Sequence, residues 1–389
     1  MEPDACRVRA QGARARRWRS CWQMKPRLLL VSRTRYAIPL SPSLARKFEA
    51  LGERFTVRVL ATAADGTALD DGVFHLLPRA SRLDGPLFWL RLPGRLRRIV
   101  RAFDPAVIVT QSPYEAAFAA IARTGVPVVV ELHGDWRTAT RLYGSPTRKL
   151  LSPLADAVAA FGLRRAAAVR TVSPYTSGLL RELGVEPAGE FAAFMDLELF
   201  LDRPTVPLPA EPRALFVGVL ELYKNIDGLV EIWRRVAAEV PDATLRIVGR
   251  GSQRPLVEQL VAESGGRVTW DERLTQGEVA RALDDATCLV LPSRSEGMGR
   301  VLIEAFARAR PAVAMRVGGI RDVVTDDVSG LLRADDAGLA EALAAVLSDR
   351  ALAERLAAGA HSAIGGWIAT PEEFADRLFD LVKPYTGEQ

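Results

Sequence analysis

Residues 287–311 read TCLVLPSRSEGMGRVLIEAFARARP, and three textures follow one another in them. The run 287–291 is apolar, with the length and β-branched content of a buried strand. Pro292 stops it. Residues 293–299 are small and polar, with Gly297 and Gly299 flanking Met298. From Arg300 onward Val301, Ile303, Glu304, Ala305, Ala307 and Arg308 all tolerate a helix. The stretch is therefore expected to form a strand, a glycine loop and a helix start. Free backbone N–H groups at such a start favour an anion. Glu296 lies in the loop, and Glu304 lies eight residues on, about one turn into the helix. Two carboxylates so placed suit an elongated ligand with hydroxyls at its ends and negative charge in its middle. The bland alternative is a pair of solvated carboxylates favoured by the helix dipole.

Working outward, strand and helix patterns alternate on both sides, as in an α/β fold with mainly parallel sheets. Before the stretch, strands are expected at 28–32, 56–60, 106–110, 127–132 and 167–172. Ser41-Pro42 and Ser173-Pro174 each read as an N-cap followed by proline at the first helical position, and 114–123 reads as a further helix. Residues 202–213, DRPTVPLPAEPR, hold four prolines and read as a semi-rigid linker. The alternation then restarts, with strands at 214–220, 244–248, 267–270 and 312–316. Helices are expected at 225–238, 253–262 and 276–283, and terminal helices run to about residue 383. The expected organisation is an N-terminal Rossmann-like domain over 24–201, the linker at 202–213 and a C-terminal Rossmann-like domain over 214–370. A helix and tail at 371–389 are expected to return to the first domain. Doubly wound sheets of this kind bind ligands in the cleft at their carboxyl edges.

The 389 residues are too many for one ordinary core. Three cysteines, Cys6, Cys21 and Cys288, lack metal-site spacing and suggest a reducing, cytoplasmic setting. No run of about 18 apolar residues is present for a membrane span. The formal net charge of +5 is local. Residues 1–23 carry six arginines against two acids, and residues 79–101 carry seven against one. Residues 1–23 have no apolar period and read as a disordered basic extension or a mis-set start. Charge this local argues against a nucleic-acid surface. In 94–103, Leu96, Ile99, Val100 and Phe103 share a helical face, while Arg95, Arg97, Arg98 and Arg101 lie largely off it. Packing on the N-terminal sheet is the simpler reading. The arginines, with Phe88 and Trp89, also suit an anionic membrane surface.

Lysine is rare here: Lys25, Lys47, Lys149, Lys224 and Lys383 stand against 47 arginines. A retained lysine suggests a need for a compact ammonium, and Lys224 follows an expected strand end. The string Glu296-Gly297-Met298-Gly299 followed by Glu304 resembles the EGxG…E signature of the retaining glycosyltransferases of family four, the glycosyl transferases group 1, which have a GT-B fold. That resemblance implies that Glu296 contacts the transferred sugar and Glu304 the ribose, with Gly297, Met298 and Gly299 near the sugar and diphosphate. In FVGVLELYKN, Gly218 and Lys224 match the family's diphosphate clamp, but Val219 stands where the family has an arginine. Arg250, Arg294, Arg300 or an N-terminal-domain arginine would then have to replace it. Gly249-Arg250-Gly251 falls where the family has a glycine pair, which places Gly249 and Arg250 at the donor. His133 in ELHGD matches its HG segment near the transferred sugar, and Gly318-Gly319 would let a backbone approach closely. The loop 32–39 lacks the glycine pair many members use, leaving Arg33 and Arg35 to supply charge.

The implied activity is retaining transfer from a nucleotide-diphosphate sugar to an acceptor hydroxyl, with no cofactor and no metal. The expected acceptor is a glycan or lipid-linked molecule of the cell envelope, and the expected place is the cytoplasm or the inner face of the membrane. Two other classes fit the same fold: a non-catalytic nucleotide-sugar-binding protein, which Val219 favours, and a sugar-nucleotide epimerase, which would need further cleft carboxylates.

Overall fold

The computed structural model describes residues 25–78, 84–142 and 146–387. The basic extension and the arginines at 79 and 82 lie outside them. The strands of the first domain are β1 (Arg27–Tyr36), β2 (Thr56–Ala63), β3 (Leu69–Asp70), β4 (Phe74–Leu77), β5 (Val107–Thr110), β6 (Val128–Leu132), β7 (Ala168–Thr171) and β8 (Gly189–Glu190). They form one sheet in the order β3-β4-β2-β1-β5-β6-β7-β8, with only the β3–β4 pairing antiparallel. The second sheet holds β9 (Arg213–Val217), β10 (Thr244–Val248), β11 (Val268–Asp271), β12 (Cys288–Leu291), β13 (Ala312–Met315) and β14 (Gly330–Arg333). Its order is β11-β10-β9-β12-β13-β14. Each sheet therefore reverses direction once, between β1 and β5 and between β9 and β12, and such a switch point opens a crevice at the carboxyl edge.

The helices of the first domain are α1 (Pro42–Arg54), α2 (Asp84–Phe103), α3 (Pro113–Ala122), α4 (Trp136–Leu142), α5 (Pro146–Arg165), α6 (Pro174–Arg181) and α7 (Glu198–Leu201). Those of the second are α8 (Ile226–Glu239), α9 (Arg254–Glu263), α10 (Gln276–Asp284), α11 (Arg300–Ala307), α12 (Ile320–Val323), α13 (Asp336–Ser348) and α14 (Arg350–Ala363), followed by α15 (Pro371–Val382). Local chemistry explains several starts. Ser41 and Ser173 cap α1 and α6 ahead of proline, and Thr275 with Glu278 and Thr370 with Glu373 form reciprocal capping boxes. The short strands β3, β4, β8 and β14 and the helices α4 and α5 carry no clear period and escape the sequence pattern.

The apolar run of β12 is buried throughout, in one core with α8, α11 and α13. The proline-rich segment after α7 is no loose spacer. Arg308 gives hydrogen bonds to the carbonyls of Phe200, Arg203 and Pro204, Arg310 to those of Val206 and Pro207, and Arg350 to Leu208 and Pro209. The segment has four prolines and hence few N–H groups, so its carbonyls need outside donors. Arginines of the second domain supply them and fix the exit of the crossover. Helix α15 lies on the first domain, with Phe374, Ala375, Leu378 and Val382 in the core beneath β1, β2 and α1. The chain thus crosses between the domains twice.

Candidate functional site

The loops after β9 and β12 flank the switch point of the second sheet. The first tightens into a 3-10 turn over Leu222–Lys224 and passes through Asn225 in the left-handed region. Asn225 also caps α8, its side chain accepting the Gly228 N–H at 3.1 Å. Lys224 is thereby turned inward and is 9% exposed. Its ammonium pairs with the Glu296 carboxylate, which also accepts the Ser293 hydroxyl at 2.8 Å. The loops that carry the two residues are 72 positions apart in sequence. A pair this enclosed is held by mutual attraction against desolvation, and removing one partner leaves the other uncompensated.

The 296–299 loop is fixed by close backbone approaches. A Cβ on Gly297 would collide with the His133 carbonyl of the first domain, and one on Gly319 with the Gly297 carbonyl. Gly319 N–H donates to Glu296 O at 3.0 Å. Ser173 Oγ, from the first domain, donates to Gly297 O at 2.9 Å. The Gly318-Gly319 pair therefore packs against this loop, and the close backbone approach expected of the pair is to the loop itself. Gly249 passes over the Gly218 carbonyl in the same tight manner. Met298 is 4% exposed and its side chain belongs to the core, so only its backbone faces the loop. Gly299 is the N-cap of α11, in the left-handed region and with no side-chain cap. In the first turn of α11, the Leu302 N–H donates to Gly299 O at 2.9 Å.

Arg294, one of the arginines considered as a replacement, is engaged with the neighbouring turn. Its guanidinium makes a double contact with Asp227, at 3.0 and 2.6 Å, and a third with Leu222 O at 3.1 Å. It braces the turn that carries Lys224. Val219 itself is 41% exposed, while Arg250 and Arg300 are exposed at neighbouring loop ends. Glu304 sits in the second turn of α11. Burial pushes its carboxyl up to about 7, against the lowering field of Arg300.

On the opposite wall, His133 follows β6. Its ring keeps 39% of its side-chain surface open, yet the mass around it pushes the imidazole down to about 4, with Glu131 acting the other way. The ring is neutral at pH 7 and can both donate and accept. Beneath it, Glu131 and Arg170 form a fully buried ion pair at 3.1 Å, and the Arg170 guanidinium lies 4.1 Å from the Phe191 ring centroid. Lys47 lies over the Phe374 ring at 5.0 Å, its pKa lowered by burial. Sequence reading passed over Glu131, Arg170 and Lys47. Two signals were present: a charge inside each of two apolar strands, and the same scarcity of lysine that singled out Lys224. Asp135 caps α4, accepting the N–H groups of Arg137 and Thr138 at 2.9 and 3.3 Å.

The basic stretch 94–103 belongs to α2, which begins earlier than expected and contains Pro93. Leu96 and Ile99 are buried against the first sheet. Phe88 is buried too, and Trp89 stacks on Phe118 at 5.6 Å. Neither aromatic is free for a lipid surface, which corrects that part of the expectation. Arg97 donates to Ala122 O at 2.9 Å. Arg98 and Arg101 are exposed. Arg95 is lowered by burial and by the neighbouring charges of Arg91 and Arg98. Among the described residues no helix is long and apolar enough to cross a membrane, and no group of three or more His, Cys, Asp or Glu side chains is placed to hold a metal.

Two parallel-sheet domains with a donor-type loop at the second switch point define the class, and comparison with known proteins agrees. Residues 41–190 match the glycosyl transferase 4-like domain, and residues 211–349 match the glycosyl transferases group 1. The chain belongs to this glycosyltransferase family and has the GT-B fold. It is 26% identical over 351 residues to alpha-D-kanosaminyltransferase of Streptomyces kanamyceticus, covering 83% of this chain and 88% of that protein. It is 39% identical over 183 residues to D-inositol 3-phosphate glycosyltransferase of Nocardia farcinica, covering 42% of this chain and 39% of that one. Among solved structures, sucrose-phosphate synthase from Thermosynechococcus elongatus superposes with a TM-score of 0.75 at 20% identity, over 92% of this chain and 98% of that one. Anabaena Alr3699/HepE in complex with UDP-glucose gives 0.68 at 18%, over 91% and 99%.

Proposed function

We propose that this glycosyltransferase moves a sugar from a nucleotide-diphosphate sugar to an acceptor hydroxyl with retention, using its own cations and backbone N–H groups and no cofactor. The observation that carries the reading is the Lys224–Glu296 pair, formed by two loops at the switch point in front of the α11 N-terminus. The difficult charge in such a transfer is on the departing diphosphate. Lys224, the first turn of α11 and Arg300 or Arg250 are the groups available to oppose it, and groups already in place cost no reorganisation during reaction. In this reading Glu296 exchanges its Lys224 contact for sugar hydroxyls, Glu304 holds the ribose, and neutral His133 faces the sugar from the other domain. That Alr3699/HepE is described with UDP-glucose favours a diphosphate donor.

The test is binding of uridine, guanosine and adenosine diphosphates followed by thermal shift. One base should stabilise the wild type, and Glu304→Ala should weaken that shift, because the ribose contact exists in the ground state as well. No shift with any base, or an unchanged shift in Glu304→Ala, would count against the reading. The non-catalytic alternative keeps the shift but shows no turnover.

The acceptor side is proposed to work at an anionic membrane face, where a lipid-linked or envelope glycan is presented. Exposed Arg98 and Arg101 with Arg95 on α2 favour it, as does Leu90, 76% exposed on the same helix. Each cation near such a surface contributes about 1 kcal/mol.

A further inference from the structure

The switch point of the first sheet, between β1 and β5, faces the same cleft. Loops on that carboxyl edge, after β6 and β7, touch the second domain through His133, Ser173 and Tyr175, the last donating its N–H to Asp322 at 2.8 Å. At the switch point β1 leaves its ladder. Val31 pairs with Leu60 and Arg35 with Thr62, so Ser32, Arg33 and Thr34 stand against Ala61 alone. This bulge is knotted. Ser32 Oγ accepts the Thr34 N–H at 2.8 Å, Thr34 Oγ1 donates to Gln111 Oε1 at 3.0 Å, and Gln111 N–H donates to Val31 O at 3.3 Å. The Arg33 guanidinium lies over Trp89 at 5.2 Å.

Glu115 is the anchor of the knot. It sits in the first turn of α3 and is 3% exposed. Its Oε1 accepts the Arg33 N–H at 3.1 Å, and its Oε2 is buried with no hydrogen-bond partner. A buried carboxylate with one oxygen unpartnered is costly, and the neutral acid, whose carbonyl still accepts the Arg33 N–H, costs less to bury than the anion. We propose that Glu115, resting on the transfer reading above, is a positioning residue that holds the Ser32–Thr34 bulge in the shape that receives a polyhydroxylated acceptor. Bulges are found where a strand must re-aim its side chains beside a site. This one leaves the side chains of Arg33, Thr34 and Arg35 exposed where the sheet opens toward the donor loop, with Ser32 buried beneath them.

Burial pushes the Glu115 carboxyl up to about 7, with Arg33 the opposing charge. Among the described residues, the other elements packed on α3 bring no neutralising group to it. Arg97 of α2 is engaged at the far end of α3, at Ala122, α5 meets the first turn of α3 through Gly162, and Glu131 of β6 is paired with Arg170. Ionisation therefore strands a charge under the bulge and loosens it.

The test uses UDP-glucose as donor with glucose, glycerol and myo-inositol as probe acceptors, across the pH range that brackets 7. In the wild type the acceptor KM should rise as pH passes about 7. Glu115→Gln, which mimics the acid, should keep the low-pH value throughout. Glu115→Ala should raise the acceptor KM roughly tenfold at every pH, as for a lost buried hydrogen bond, and leave the donor KM unchanged. Equal changes in both KM values, or an unaltered pH profile in Glu115→Gln, would overturn the proposal. Should no probe accept the sugar, the Arg33 backbone amide resonance decides. It should titrate near pH 7 in the wild type and not in Glu115→Gln, and an amide that does not titrate in the wild type overturns the proposal. Failure to bind any nucleoside diphosphate would instead sink the transfer reading and leave that titration standing on its own.

Discussion

In the proposed donor site Val219 stands where the family has an arginine, leaving Arg250 and Arg300 as the exposed cations at neighbouring loop ends. Val219 is exposed beside Gly218, and Arg294 is committed to Asp227. Val219→Arg should therefore lower the Kd for the nucleoside diphosphate roughly tenfold, the scale of one charge-assisted contact to phosphate. Calorimetric titration checks this, and unchanged or weaker binding would mean that the diphosphate lies elsewhere. The same scale shows what a sequence can and cannot tell. Glu296 and Glu304 stood out through the EGxG…E string, Lys224 through the scarcity of lysine, and His133 through its place after an apolar strand. That Lys224 meets Glu296 was hidden, because it depends on two loops brought together by the sheet order. Which way Met298 and the Gly318-Gly319 pair face was hidden for a related reason. A small or apolar residue beside a ligand loop looks the same in sequence whether it faces the ligand or the core.

In the proposed function donor binding turns on the 296–299 loop, whose shape is set from both domains. Gly319 holds one carbonyl and Ser173 the next. Ser173 is also the cap of α6, its Oγ accepting the Thr176 N–H at 3.3 Å. Ser173→Ala should raise the donor KM roughly fivefold for a lost hydrogen bond of about 1 kcal/mol and leave the acceptor KM unchanged. Steady-state kinetics in both substrates separate the two, and an unaltered donor KM would free the loop from this hydroxyl. On α2 a different measurement applies. Co-sedimentation with anionic vesicles should be strong at low salt, weak at high salt, and lost when Arg95, Arg98 and Arg101 are all replaced by Gln. Binding that ignores salt or the substitutions would remove the membrane face. The strands and long helices were legible from period and caps, because burial on one side imposes a rhythm. Helix α5 was not, since Pro153 interrupts it and Leu150, Leu151 and Leu154 point to solvent.

Over the whole molecule, the cleft concentrates groups whose neutral forms the fold prefers. Glu115 and Glu304 are raised to about 7. Between the unfolded carboxyl value and that point the native state binds more protons than the unfolded one, so stability falls as pH rises through the window from about 4.5 to about 7. His133 is lowered to about 4, so its contribution runs the other way and is lost as pH falls from about 6.5 to about 4. Glu304→Gln should therefore raise Tm at pH 8 and leave it nearly unchanged at pH 5, measured without ligand. A gain of the same size at both values would show that Glu304 is already ionised in the cleft. The two-domain plan was legible from restarting alternation. The clamping of the crossover by Arg308, Arg310 and Arg350 was not, because donors to backbone carbonyls leave no pattern in sequence.

The most direct measurement follows the anomeric proton of the product by NMR while wild type and Lys224→Ala turn over an α-linked nucleotide-diphosphate sugar of the base that binds. The expected result is an α-linked product from the wild type, with turnover at saturating donor reduced roughly 10²–10³-fold in Lys224→Ala, as for loss of one preorganised stabilising group. A β-linked product, or near-normal turnover in Lys224→Ala, would contradict it.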